Sequence, residues 1–126
     1  MGARVLIVDG DSAFAGTVQS GLARLGCTTR ILAEGGSALA QAAQERPDLI
    51  LAATDLSDMS GLSLCDQLRS DASLMVVPVV LLAEGTSDDQ LKVHQESATR
   101  AEEYVRKPIG LLELFTRIGR FLGADV

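Results

Sequence analysis

Leu49 to Ala53 is a run of five apolar residues with no polar alternation, and such a run forms a strand covered on both faces, as in the interior of a parallel sheet. It follows Arg46-Pro47-Asp48 and opens into an acidic stretch, Thr54-Asp55-Leu56-Ser57-Asp58-Met59-Ser60, that ends on Gly61. Parallel strands need crossover connections, usually helical, and in open sheets of this kind ligands bind beyond the carboxyl ends of the strands. Function is therefore expected at residues 53–61 and at whichever other strand ends converge there.

The remaining segments fit the same scheme. Arg4 to Val8 is a short apolar strand that breaks at Asp9-Gly10-Asp11, and Asp11 or Ser12 caps a helix whose Phe14, Val18, Leu22 and Leu25 recur at helical spacing. Thr28 to Ala33 is a second strand, and Glu34-Gly35-Gly36-Ser37 turns into an Ala-rich helix over Ala38 to Glu45. Leu62, Leu64, Cys65 and Leu68 mark a third helix ending near Ser70-Asp71, and Val76 to Leu82 is a fourth strand with Pro78 near its start. Ser87-Asp88-Asp89-Gln90 is a capping-box pattern for a fourth helix, thinly anchored by Leu91 and Val93. Glu103 to Arg106 is a fifth strand; Lys107-Pro108 then turns into an amphipathic helix over Gly110 to Leu122. Five alternating pairs predict an α/β fold, a doubly wound parallel sheet of the (βα)5 kind. The strand order 2-1-3-4-5 follows by analogy with flavodoxin-like domains. That order sets Asp9, Gly10 and Asp11 beside Ala53, Thr54 and Asp55, with Lys107 reaching the same mouth.

The 126 residues suit one domain spanning 1–126, ending at Gly123-Ala-Asp-Val126, where the head of a longer regulator would also stop. A net charge of −6 argues against direct nucleic-acid binding, which needs clustered Lys and Arg. The longest apolar run, Leu74 to Ala83, is broken by Pro78 and is far short of the roughly 20 residues that span a bilayer. No signal peptide opens the chain, and Cys27 and Cys65 are expected as free thiols in a reducing cytoplasm. His94 is expected on the surface, and Glu102-Glu103 as a solvated turn.

Val-Leu-Ile-Val-Asp-Gly-Asp at 5–11, Pro-Asp-Leu-Ile-Leu at 47–51, Met-Ser-Gly-Leu at 59–62, Val-Pro-Val-Val-Leu-Leu at 77–82 and Tyr-Val-Arg-Lys-Pro at 104–108 together resemble the response regulator receiver (CheY-like) family. In that family an acidic pair after strand one and an aspartate ending strand three hold Mg²⁺. The strand-three aspartate accepts a phosphoryl group from a histidine kinase, and a Thr or Ser after strand four and a Lys after strand five contact it. Carried over by position, Asp9 matches the first acid, Gly10 stands where the second would be, and Ala53 stands at the acceptor, six residues after Pro47 and eight before Gly61. Ala83 takes the hydroxyl position; Lys107 and the aromatic Tyr104 match. The resemblance thus implies a degenerate pseudo-receiver with no cofactor and Mg²⁺ weak or absent, Asp9 and Asp11 being its weak candidate ligands. Ala-Thr-Asp-Leu-Ser at 53–57 and Ala-Glu-Glu-Tyr-Val-Arg-Lys-Pro at 101–108 are similar to a pseudo-receiver of myxobacterial gliding motility.

Alanine has no nucleophile, so no acyl phosphate forms at Ala53. Asp9 is expected to pair with Lys107, and Tyr104 to hold one rotamer beside Ala83. Three functions compete. One is a non-enzymatic module that binds a protein partner or itself through the fourth helix, fifth strand and fifth helix, with Val93, Tyr104 and Arg106 as contacts. Another is a phosphorylatable receiver using Asp55 as a surrogate acceptor. A flavodoxin-like cofactor binder is the third, disfavoured because Asp9 and Asp11 repel a phosphate.

Overall fold

A computed structural model describes residues 2–122; Met1 and residues 123–126, the ends of the expected domain span, lie outside it. Strands β1 (Arg4–Val8), β2 (Thr28–Leu32), β3 (Leu49–Ala53), β4 (Val79–Ala83) and β5 (Glu103–Arg106) alternate with helices α1 (Ser12–Arg24), α2 (Gly35–Gln44), α3 (Gly61–Arg69), α4 (Asp88–Gln95) and α5 (Leu111–Ile118), and a 3-10 turn follows at Gly119–Phe121. The strands form one parallel sheet in the order β2-β1-β3-β4-β5. Register aligns their carboxyl ends: Val8 lies opposite Leu32 and Ala52, Ala53 opposite Leu82, and Ala83 opposite Arg106. The order reverses between β1 and β3, so the expected crevice opens over Asp9 and Ala53.

Every residue of β3 and β4 is buried, which is why neither strand alternates in sequence. Leu49, Leu51, Val80 and Leu82 face Val18 and Leu22 of α1 and Leu114 and Ile118 of α5. Ile50, Ala52, Val79 and Leu81 face Ala38 and Ala42 of α2 and Leu64 and Leu68 of α3. Burying each leucine or isoleucine contributes about 1.5–3 kcal/mol, so this aliphatic core carries the fold without tryptophan. Cys65 is part of it: the thiol donates to the Thr99 carbonyl at 3.2 Å, and burial pushes its pKa up to about 12. Cys27 and Cys65 are both free.

Several boundaries differ from expectation for identifiable reasons. Helix α2 starts earlier, at Gly35, because the Asp58 carboxylate accepts the Gly35 and Gly36 N–H groups, each at 2.9 Å, and caps it from another loop. Leu25 is 53 % exposed instead of in the core, since it is already the C-cap of α1. Strand β4 starts at Val79 and not Val76. The Arg69 guanidinium takes the carbonyls of Met75 at 3.1 Å and Val77 at 2.7 Å, holding that segment as turns off the sheet. Glu102-Glu103 is not a solvated turn: Glu102 accepts the Val79 N–H at 2.7 Å and pairs with Arg69, while Glu103 pairs with Arg117 and Arg120.

Gly61 fixes how the β3–α3 loop returns to the sheet. Its N–H donates to the Thr54 carbonyl at 2.9 Å, and a Cβ placed on it would fall 2.2 Å from the Ala53 carbonyl oxygen. The obstacle is backbone and has no rotamer to change. Gly61→Ala is therefore expected to lower stability by about 2 kcal/mol. Urea denaturation measures it, and an unchanged midpoint would contradict the tight return.

Candidate functional site

Lys107 is the centre of the crevice. It follows β5, its N–H donates to the Ala83 carbonyl at 3.1 Å, and its Nζ lies 2.9 Å from Asp9 Oδ2 and 3.0 Å from Glu84 Oε2. The Phe14 ring sits under the ammonium, its centroid 4.4 Å away. Burial by itself would lower the lysine pKa, but hydrogen bonds and charge from Asp9 and Glu84 outweigh it and hold the ammonium above the ordinary lysine value. The expected Asp9–Lys107 pair is thus present. Glu84 is a further partner that the sequence reading missed; its only signal was its place one residue beyond β4.

Asp9 is buried, and both oxygens are engaged: Oδ1 accepts the Asp11 N–H at 2.9 Å and Oδ2 the lysine. Asp11 caps α1, its Oδ1 accepting the Phe14 N–H at 3.1 Å. Gly10 is exposed, and a side chain there would meet open space, so the fold does not require glycine at this position. Ala53 and Ala83, the last residues of β3 and β4, present methyl groups and are buried. Magnesium is held by oxygen ligands, chiefly carboxylates and water. The residues present do not make that set: Gly10 and Ala53 offer no side-chain oxygen, and Asp9 is committed to Lys107. Among the described residues no group of three or more His, Cys, Asp or Glu side chains is placed to hold a metal ion.

A second element missed from sequence is the Thr54 hydroxyl, buried directly after Ala53. It donates to the Glu84 carbonyl at 3.3 Å and accepts from the Glu84 N–H at 3.0 Å and the Thr86 hydroxyl at 2.7 Å. One donor and two lone pairs are all used, and the β4–α4 loop is locked to the end of β3. Asp55 is exposed, pairs through its backbone with Ser60, and carries its Oδ2 over Gly85.

Helix α4 corrects two expectations. His94, expected on the surface, is 6 % exposed, and Val93, expected both as a thin anchor of the helix and as a partner contact, is 70 % exposed. The helix turns Leu91 and His94 inward at i, i+3, so the polar ring takes the core position. Its Nδ1 hydrogen-bonds the Tyr104 hydroxyl, which also accepts the Ala101 N–H at 3.0 Å. The other ring nitrogen, Nε2, faces Asp66 Oδ1 at 3.2 Å. Tyr104 and Ala83 line one groove beside α4, and the Tyr104 hydroxyl is tied down at its far end. Arg106, on the same groove, pairs with Asp88. Val93 is not on that groove: it lies on the other side of α4, toward α3.

Residues 5–119 match the family model described as the response regulator receiver domain. The chain belongs to the response regulator receiver family. It is 34 % identical over 115 residues to the DNA-binding response regulator MtrA of Mycolicibacterium smegmatis, covering 91 % of this chain and 48 % of that protein. To the DNA-binding dual master transcriptional regulator RpaA of Synechocystis it is 31 % identical over 120 residues, covering 94 % and 48 %. The receiver therefore spans about half the length of these curated relatives. Among solved structures, a putative response regulator from Chloroflexus aurantiacus superposes with a TM-score of 0.87 at 26 % identity, covering 98 % of this chain and all of that one. Chemotaxis response regulator CheY4 of Vibrio cholerae gives 0.86 at 25 % identity, covering 97 % and 100 %. Among the described residues, no helix of this receiver is long and apolar enough to cross a membrane.

Lys107→Met strands Asp9 as a buried unpaired carboxylate and is expected to cost about 3 kcal/mol at neutral pH. A cation whose folded pKa is raised contributes stability that is complete below its ordinary value, 10.5, and is lost as pH rises through the raised value. The stability gap between wild type and Lys107→Met, measured by denaturant melts, should thus be constant around neutrality and narrow above pH 10.5. A gap that stays the same into that alkaline range would contradict this account.

Proposed function

We propose that this receiver is not phosphorylated and works as a protein-recognition module in a two-component or motility-type regulatory system. The observation that carries the reading is the methyl group of Ala53 at the end of β3, together with a lysine after β5 that Asp9 and Glu84 already neutralise. An acyl phosphate needs a carboxylate nucleophile, and Ala53 supplies none. A phosphoryl group entering the crevice would meet Lys107 with both carboxylates in place, and Glu84 and Asp9 would repel it. On this reading the domain has no catalytic activity, holds Mg²⁺ weakly or not at all, and resides in the cytoplasm. Its contact surface is the face of α4, β5 and α5, where Tyr104 and Arg106 line a groove and Leu112 of α5 is 83 % exposed. The DNA binding named for MtrA and RpaA belongs to proteins about twice as long, and the net charge of −6 favours a protein partner over nucleic acid for this domain.

Incubation with Mg²⁺ and acetyl phosphate is expected to leave the intact mass unchanged. Addition of one phosphate that Asp55→Asn abolishes would replace this reading with Asp55 as surrogate acceptor; the exposed Asp55 carboxylate at the mouth is the group that could serve.

A further inference from the structure

Helix α4 separates two grooves, and the one on its α3 side carries a different chemistry from the face just described. Its floor is apolar, with Leu62 from α3 and the exposed Val93 from α4, and its volume is about 450 Å³. Asp66 from α3 and Asp89 from α4 also line it, and no lysine or arginine does. Among the described residues Asp89 has no ion-pair partner, whereas the neighbouring Asp88 is paired with Arg106 on the opposite side. Asp66 is held in place: its Oδ1 accepts the Thr99 hydroxyl and faces His94 Nε2, while the side chain stays half exposed. That Nε2 is buried and has no hydrogen-bond partner, so Thr99 holds Asp66 and the His94 ring edge is left unpaired beside it.

We propose that this α3–α4 groove docks a linear segment of a partner protein that presents a lysine or arginine next to an aliphatic side chain. The aliphatic group covers Val93 and Leu62, and the cation sits between Asp66 and Asp89. Charge complementarity selects this occupant. A second copy of this chain docking the same surface about a two-fold axis would set these carboxylates against their own images, and an acidic peptide or a nucleic acid would be repelled. The volume admits one or two side chains, which suits a linear motif rather than a folded face. The site lies away from position 53, so it extends the recognition reading without depending on whether the domain can be phosphorylated.

The test is selection of a phage-displayed library of random linear peptides against the whole chain, followed by titration of the enriched, synthesised peptides into isotope-labelled protein. Enriched peptides are expected to pair a basic with an aliphatic residue and to shift resonances at Leu62, Asp66, Asp89 and Val93. Binding should weaken with added salt, and fall about tenfold in Val93→Asp and in Asp89→Lys while surviving in Arg106→Glu. Both groove substitutions are at exposed positions, and melting curves verify that the variants are folded. Enrichment of acidic peptides or of none, loss of binding only in Arg106→Glu, or self-association abolished by Val93→Asp would each overturn the proposal. None of these outcomes bears on the acetyl phosphate result, so the two readings fail separately.

Discussion

A buried ammonium needs an anion, and in this receiver the anions come from two other strand ends. Lys107, after β5, is bound by Asp9 after β1 and Glu84 after β4. The three loops that could otherwise move independently over the crevice are thus joined through one cation. Removing the lysine would leave Asp9 inside the protein without compensation, which is costlier than never having buried the pair. The Thr54 hydroxyl adds a neutral clamp between the end of β3 and the same β4–α4 loop. On the proposed reading, these internal contacts hold the mouth in one arrangement, and no phosphoryl group is required to organise it.

Helix α4 converts that rigidity into surface. Its capping box and the inward pair Leu91 and His94 fix its rotation, and the Tyr104 hydroxyl ties it to β5. Two grooves result, one lined by Ala83, Tyr104 and Arg106 and the other by Leu62, Asp66 and Val93. The first is bordered by both signs of charge, the second by the carboxylates of Asp66 and Asp89 and the His94 ring, with no lysine or arginine. A helix held this way presents two chemically distinct faces.

The sheet was legible in the sequence because burial on both faces leaves a continuous apolar run, and Leu49–Ala53 and Val79–Ala83 are such runs. Strand order came from analogy, and the register then follows once Asp9 and Ala53 must share a crevice. What escaped was side-chain chemistry without local periodicity. His94 looks polar and therefore exposed, yet its ring is satisfied on one side by a tyrosine ten positions on, and no helical pattern announces that. Val93, whose apolar side chain suits either an anchor or a surface contact, is turned outward by the eight-residue α4. Glu84, Thr54 and Asp58 act across 22 to 32 residues of sequence, where spacing rules have no reach. The absences at Gly10, Ala53 and Ala83 were legible only against the family pattern, since nothing in composition marks a missing carboxylate.

On the proposed reading the internal ion cluster, and not a phosphoryl group, organises the crevice. The most direct measurement is an NMR titration of the receiver with Mg²⁺ and then beryllofluoride, a mimic of the phosphoryl group. Amide resonances of Asp9, Ala53, Ala83, Glu84 and Lys107 are expected to stay where they are. Saturable shifts at those residues that spread to Tyr104 would contradict it.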